Sequence, residues 1–133
     1  MITPEELLQK AENAMQFAYA PYSNFKVGAA LLCKDGSIFT GCNVENAAYG
    51  VCNCAERTAL FKAVSEGYTE FTSIAIVGGK DGEIDEFCFP CGTCRQALSE
   101  FVDQTFKFYF KDNKGTIASY TFEEILPHSF DLL

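Results

Sequence analysis

Two short cysteine-bearing stretches constrain this chain more than any other feature. Cys91-Gly92-Thr93-Cys94 is a Cys-x-x-Cys pair preceded by Pro90, and Cys54-Ala55-Glu56 lies well upstream of it. Each stretch follows loop-like sequence and opens a segment with helical patterning. A cysteine at a helix N-terminus is biased toward the thiolate, the form that acts as nucleophile and as metal ligand. Taken alone, the Cys-x-x-Cys pair is compatible with zinc ligands, a redox dithiol or two buried small apolar residues. Glu56 narrows the choice, because it sets a carboxylate beside a potential ligand on the first turn of the same helix. A zinc site with three protein ligands keeps a fourth position for water and lowers that water's pKa toward neutrality. A neighbouring carboxylate can then carry the proton. If Cys54, Cys91 and Cys94 share one metal, the two helix starts must meet in the fold.

Seven cysteines in 133 residues also admit a disulfide framework. The count is odd, which would strand one thiol in an oxidising compartment. Met1-Ile2-Thr3-Pro4-Glu5-Glu6 lacks the basic and apolar regions of a secretory signal, and no apolar run approaches the length of a bilayer span. The expectation is a reduced, soluble, cytoplasmic protein. With 48% hydrophobic residues the chain is not disordered, and residues 1–133 are enough for one domain with its own core. The net charge is −8 and the ten Lys and Arg residues are scattered, while Asp81, Glu83, Asp85 and Glu86 read as a solvated loop. Such a field repels phosphate, so neither nucleic acid nor an anionic membrane is expected as a partner.

Thr3-Pro4-Glu5-Glu6 carries an N-cap, a proline at the first helical position and an acid at the third. Leu7, Leu8, Ala11, Ala14 and Met15 recur at helical spacing, which predicts a helix to about Tyr19. Phe25 to Cys33 and Ser37 to Val44 are β-rich and flank Lys34-Asp35-Gly36, a hairpin signal. A loop is expected over 46–53, a helix over 54–66 stopped by Gly67, a strand over 71–77 and a loop over 78–89. A cysteine-bearing helix follows from Pro90 to about Phe101. Strands near 105–110 and 116–119 flank Asp112-Asn113-Lys114-Gly115, and a short helix near 122–126 ends at Pro127. This order predicts an α/β fold: one domain, a three-layer α/β/α sandwich with a mixed five-stranded sheet and helices on both faces.

Cys54-Ala55-Glu56-Arg57-Thr58 and Pro90-Cys91-Gly92-Thr93-Cys94-Arg95-Gln96 resemble the two zinc motifs of the small cytidine deaminases. Asn43-Val44-Glu45-Asn46-Ala47 resembles that family's nucleoside-binding segment, and the similarity continues to Leu126-Pro127-His128-Ser129-Phe130. The resemblance implies hydrolytic deamination of free cytidine and deoxycytidine in pyrimidine salvage. It also implies zinc held by Cys54, Cys91 and Cys94, with Glu56 as proton shuttle and no further cofactor. Asn43 and Glu45 would bind the ribose hydroxyls, Phe25 would pack on the base, and the Ala55 backbone would meet the base edge. Tyr49 and Phe130 align with aromatics that reach a neighbouring subunit's site, since the family is typically a homotetramer with shared active sites.

Read without the family, several of these residues have simpler roles. Asn43 and Glu45 are two polar residues at a strand end, Phe25 is one of thirteen phenylalanines that could be core, and Arg57 is a surface helical residue. Many zinc deaminases use histidine as first ligand, but the only histidine here is His128, far from both motifs. Three thiolates leave one excess negative charge on the site, which Arg57 and the two helix N-termini could offset. Cys52 or Cys88 as a fourth ligand would close the site and make it structural. Both are read as packed thiols, and Cys33 and Cys42 as sheet residues. A deaminase of the same fold acting on blasticidin S is the nearest rival, and a structural zinc module or a redox protein the more distant ones.

Overall fold

The computed structural model describes residues 1–132. Helix α1 (Pro4–Met15) starts on the expected capping box. The Glu6 N–H donates to Thr3 Oγ1, and the Glu6 carboxylate accepts from the Thr3 N–H. It ends at Met15 instead of near Tyr19. The Tyr19 N–H is taken by the Asn43 carbonyl and its own carbonyl accepts from the Glu45 N–H, so Tyr19 pairs with an extended segment and leaves the helix.

Strands β1 (Phe25–Cys33) and β2 (Ile38–Cys42) form the expected antiparallel hairpin, with Gly36 at φ +97° in its turn. Helix α2 (Ala55–Ser65) leads to β3 (Phe71–Lys80), helix α3 (Gly92–Ser99) to β4 (Lys107–Lys111), and β5 (Ile117–Thr121) to the short helix α4 (Phe122–Ile125). The sheet order is β2-β1-β3-β4-β5. Only the β3–β4 pair is parallel, so the five-stranded sheet is mixed as predicted.

Side chains alternate across this sheet and build a core on each face. Ala30, Ala75 and Val77 face the buried stripe of α1, made of Leu7, Leu8, Ala11 and Met15. Ala29, Leu31, Ile74 and Ile76 face the opposite way, against Ala59, Leu60 and Ala63 of α2, Leu98 of α3 and Phe122 of α4. Each large side chain fully buried in this way contributes about 1.5–3 kcal/mol. Three layers result, the α/β/α arrangement expected from the element order.

Two departures matter for the site. Strand β3 continues past Val77 through Gly78, Gly79 and Lys80, paired with Val27, Lys26 and Phe25. These glycines read as loop in the sequence but lie in the ladder, and position 79 has to be glycine because a Cβ there would fall 1.7 Å from the Glu83 carbonyl oxygen. Gly41 plays the same part on β2, where a Cβ would lie 2.5 Å from the Ala55 carbonyl oxygen and 2.6 Å from the Ala59 nitrogen. The start of α2 therefore rests directly on β2. Tyr49–Val51 forms a single 3-10 turn within the expected loop. Among the described residues, no helix is long and apolar enough to cross a membrane.

Candidate active site

Cys54 is the N-cap of α2 and Cys91 the N-cap of α3, both with extended backbone and neither using its side chain to cap. Their sulfurs are thus free of the helix ends and meet 3.7 Å apart. Cys94, fully buried on the first turn of α3, brings its sulfur to 3.4 Å from that of Cys91, and all three lie within 4.8 Å of one another. Two sulfurs on a tetrahedral zinc with bonds of about 2.3 Å are separated by about 3.8 Å. The donor set and its spacing therefore fit zinc, and two helix N-termini converge where thiolates must be stabilised. No other group of three metal-capable side chains occurs among the described residues, and neither Cys52 nor Cys88 joins this one.

The surroundings of the Cys54 sulfur favour its ionisation. A hydrogen bond from Cys94, with further help from Arg57 and Cys91, draws Cys54 down to about 5 against the cost of burial. Cys94 moves the opposite way, because its thiol is the donor to Cys54 and burial disfavours its charged form. Arg57 Nη2 donates to Cys54 Sγ at 3.3 Å, and this bond raises the guanidinium pKa further. Arg57 is half-buried, with its Nε shielded and without a hydrogen-bond partner, so it is not the exposed helical residue of the plain reading.

Glu56 is 4% exposed. Burial pushes its carboxyl up to about 7, with the Cys54 sulfur adding to the shift and Arg57 opposing it. A carboxyl poised near neutrality can both accept and donate a proton at physiological pH.

The sulfur cluster opens into a cavity of ≈ 540 Å³ whose wall includes Asn43, Glu45, Tyr49, Ala55, Glu56 and Arg57. The structure thus brings most of the sequence-predicted residues to one place. Asn43 also serves the backbone: its Nδ2 donates to the Phe25 carbonyl and its Oδ1 accepts from the Val27 N–H, each at 2.8 Å. Glu45 is held by the loop before β1, which donates to it from the Tyr22 and Ser23 N–H groups. Phe25, 42% exposed, packs over Gly78 beside Cys88 and does not line the cavity. Phe130 is also outside it, 69% exposed, with its carbonyl accepting from Gln96 Nε2 at 3.4 Å.

Sequence reasoning missed Ser23, Cys52, Cys88 and Phe89 as wall residues. None carries a local signal, since a loop serine and packed thiols look alike wherever they occur. The Cys52 sulfur accepts from the Asn46 N–H at 3.2 Å, and burial pushes the Cys88 thiol up to about 12.

Residues 1–110 match the family described as the cytidine and deoxycytidylate deaminase zinc-binding region. The chain is 46% identical over 126 residues to the cytidine deaminase of Sporosarcina psychrophila, covering 95% of this chain and 90% of that protein. It is 48% identical over 124 residues to the cytidine deaminase of Halalkalibacterium halodurans, covering 93% and 91%. The crystal structure of cytidine deaminase from Burkholderia pseudomallei has a TM-score of 0.88 and 47% identity, covering 97% of this chain and 100% of that one. With relatives this similar along nearly all of its length, the chain belongs to the zinc-binding cytidine and deoxycytidylate deaminase family.

Proposed function

We propose that this protein hydrolyses free cytidine and deoxycytidine to uridine and deoxyuridine with release of ammonia, in pyrimidine salvage. It would act in the cytoplasm as one catalytic domain over residues 1–133. The observation that carries this reading is a nearly fully buried carboxyl, Glu56, beside three converging cysteine sulfurs at the wall of a nucleoside-sized cavity. Cys54, Cys91 and Cys94 would hold zinc, which when bound polarises a water and lowers its pKa toward neutrality. Glu56 accepts a proton from water and delivers it to N3 of the cytosine ring, which makes C4 electrophilic toward the incoming oxygen. It then takes the proton of the new C4 hydroxyl and delivers it to the 4-amino group, which leaves as ammonia as the C4 oxygen becomes the carbonyl. Asn43 and Glu45 receive the sugar, and the carboxylate repels a 5′-phosphate, which favours nucleosides over nucleotides. The Ala55 backbone meets the base edge. Ammonia release from cytidine and deoxycytidine by metal-analysed protein tests the reading, and a preference for blasticidin S would overturn it.

Arg57 offsets the excess charge of the three thiolates, consistent with its bond to Cys54. Arg57→Gln is expected to keep zinc but lower kcat by roughly tenfold, one hydrogen bond to a charged group being worth about 1.5–3 kcal/mol. Unchanged turnover would leave Arg57 with no part in the reaction.

The assembly we propose is a homotetramer in which Phe130 and Tyr49 complete a neighbour's site. Both are exposed here, and a largely exposed aromatic side chain is suited to dock on another chain. Glu56→Gln and Phe130→Ala, each impaired alone, should regain activity above their average when unfolded together and refolded with zinc. Mixed oligomers, verified by mass, that regain nothing would place Phe130 in its own chain's site.

A further inference from the structure

The Glu45 carboxylate is the most heavily anchored acid at the cavity, and one short loop anchors it. Its Oε1 accepts from the Tyr22 N–H at 3.0 Å and the Ser23 N–H at 3.1 Å, while Oε2 accepts from the Ser23 hydroxyl. The Ser23 oxygen in turn accepts from the Phe25 N–H at 3.0 Å, which ties the arrangement to the first residue of β1. The loop itself is fixed from both sides. Asn24 adopts φ +59°, a left-handed conformation that asparagine tolerates, and its carbonyl accepts from the Asp81 N–H at 2.6 Å. The Glu45 N–H donates to Tyr19 at 2.8 Å, so backbone and side chain are held by the same segment. A carboxylate offers about four acceptor positions, and the loop occupies three. One remains, with a defined direction. The Ser23 hydroxyl is also the main reason the Glu45 carboxyl stays below the usual carboxylate range.

We propose that Ser23 is a positioning residue whose hydroxyl aims the one free acceptor position of Glu45 at a sugar hydroxyl of the nucleoside. The role rests on the nucleoside reading given above. Ser23 acts through Glu45, so its loss is felt in the recognition of the sugar and not in the chemistry at the base.

The test compares cytidine with 2′,3′-dideoxycytidine, using zinc-loaded enzyme. Ser23→Ala is expected to raise KM for cytidine about tenfold with kcat within about threefold, the pattern of lost ground-state binding. It should also shrink the preference for cytidine over the dideoxy substrate by about the same factor. In a Glu45→Ala background, Ser23→Ala should cost nothing further, because the two act as one unit. Ser23→Thr, which keeps the hydroxyl, should restore the preference. Equal losses on both substrates, or additive losses with Glu45→Ala, would reduce Ser23 to general loop stability and overturn the role. A zinc-loaded wild type that releases no ammonia from cytidine would instead remove the nucleoside reading itself.

Discussion

Glu56→Gln is expected to lower kcat by roughly 10²–10⁴ while zinc content, fold and substrate binding stay close to those of the wild type. Glutamine has the size of the acid and retains hydrogen-bonding capacity, so the packing at the start of α2 is undisturbed. What it lacks is a titrating proton. Glu56 is almost fully buried and its carboxyl is pushed up to about 7, so near neutrality it exchanges a proton at little cost in either direction. Several proton movements depend on this one group, which places the expected loss at the upper end of that range or beyond. Steady-state rates together with metal analysis check it. A zinc-loaded Glu56→Gln enzyme that turns over within threefold of the wild type would remove Glu56 from the mechanism.

Cys94→Ala is expected to abolish both stoichiometric zinc and measurable ammonia release. Three sulfurs form the only metal-capable group among the described residues, and removing one leaves two donors. Cys94 is fully buried, so no side chain from the surface can take its place. Cys88→Ala is the informative partner experiment. Cys88 lines the same cavity and precedes Cys91 by three positions, yet it lies outside the sulfur cluster, and burial keeps it a thiol with a pKa of about 12. It should therefore retain one zinc per chain, coordinated by three sulfurs and one oxygen in X-ray absorption. Zinc lost equally from the Cys88 and Cys94 variants would mean a closed four-sulfur site and a structural role for the metal. Full zinc and activity in Cys94→Ala would break the three-cysteine assignment.

Much of the fold was legible because its signals are local. Thr3 and Glu6 predicted a reciprocal cap and formed one, and Lys34-Asp35-Gly36 predicted a hairpin between strands that pair as expected. The boundaries that failed did so where a distant segment intervened. Helix α1 stops short because Tyr19 bonds to Asn43 and Glu45, and β3 extends because Val27, Lys26 and Phe25 offer ladder partners to Gly78, Gly79 and Lys80. Neither partner lies within a local window, so periodicity could not have found it.

The same division runs through the site. The donor chemistry, the placement of Cys54 and Cys91 at helix starts, and the carboxylate beside the first of them were already legible in the chain. Residue type and spacing suffice for that, because helix capping and ligand preference are decided within a few residues. Four features emerge only on folding: Glu56 is desolvated, Arg57 turns inward onto the Cys54 sulfur, the Asn43 amide serves β1, and Ser23 holds Glu45. Desolvation and long-range hydrogen bonds depend on what else packs against a group. Here that is set by Gly41 letting α2 rest on β2, and by the loop before β1 folding back over the end of β2.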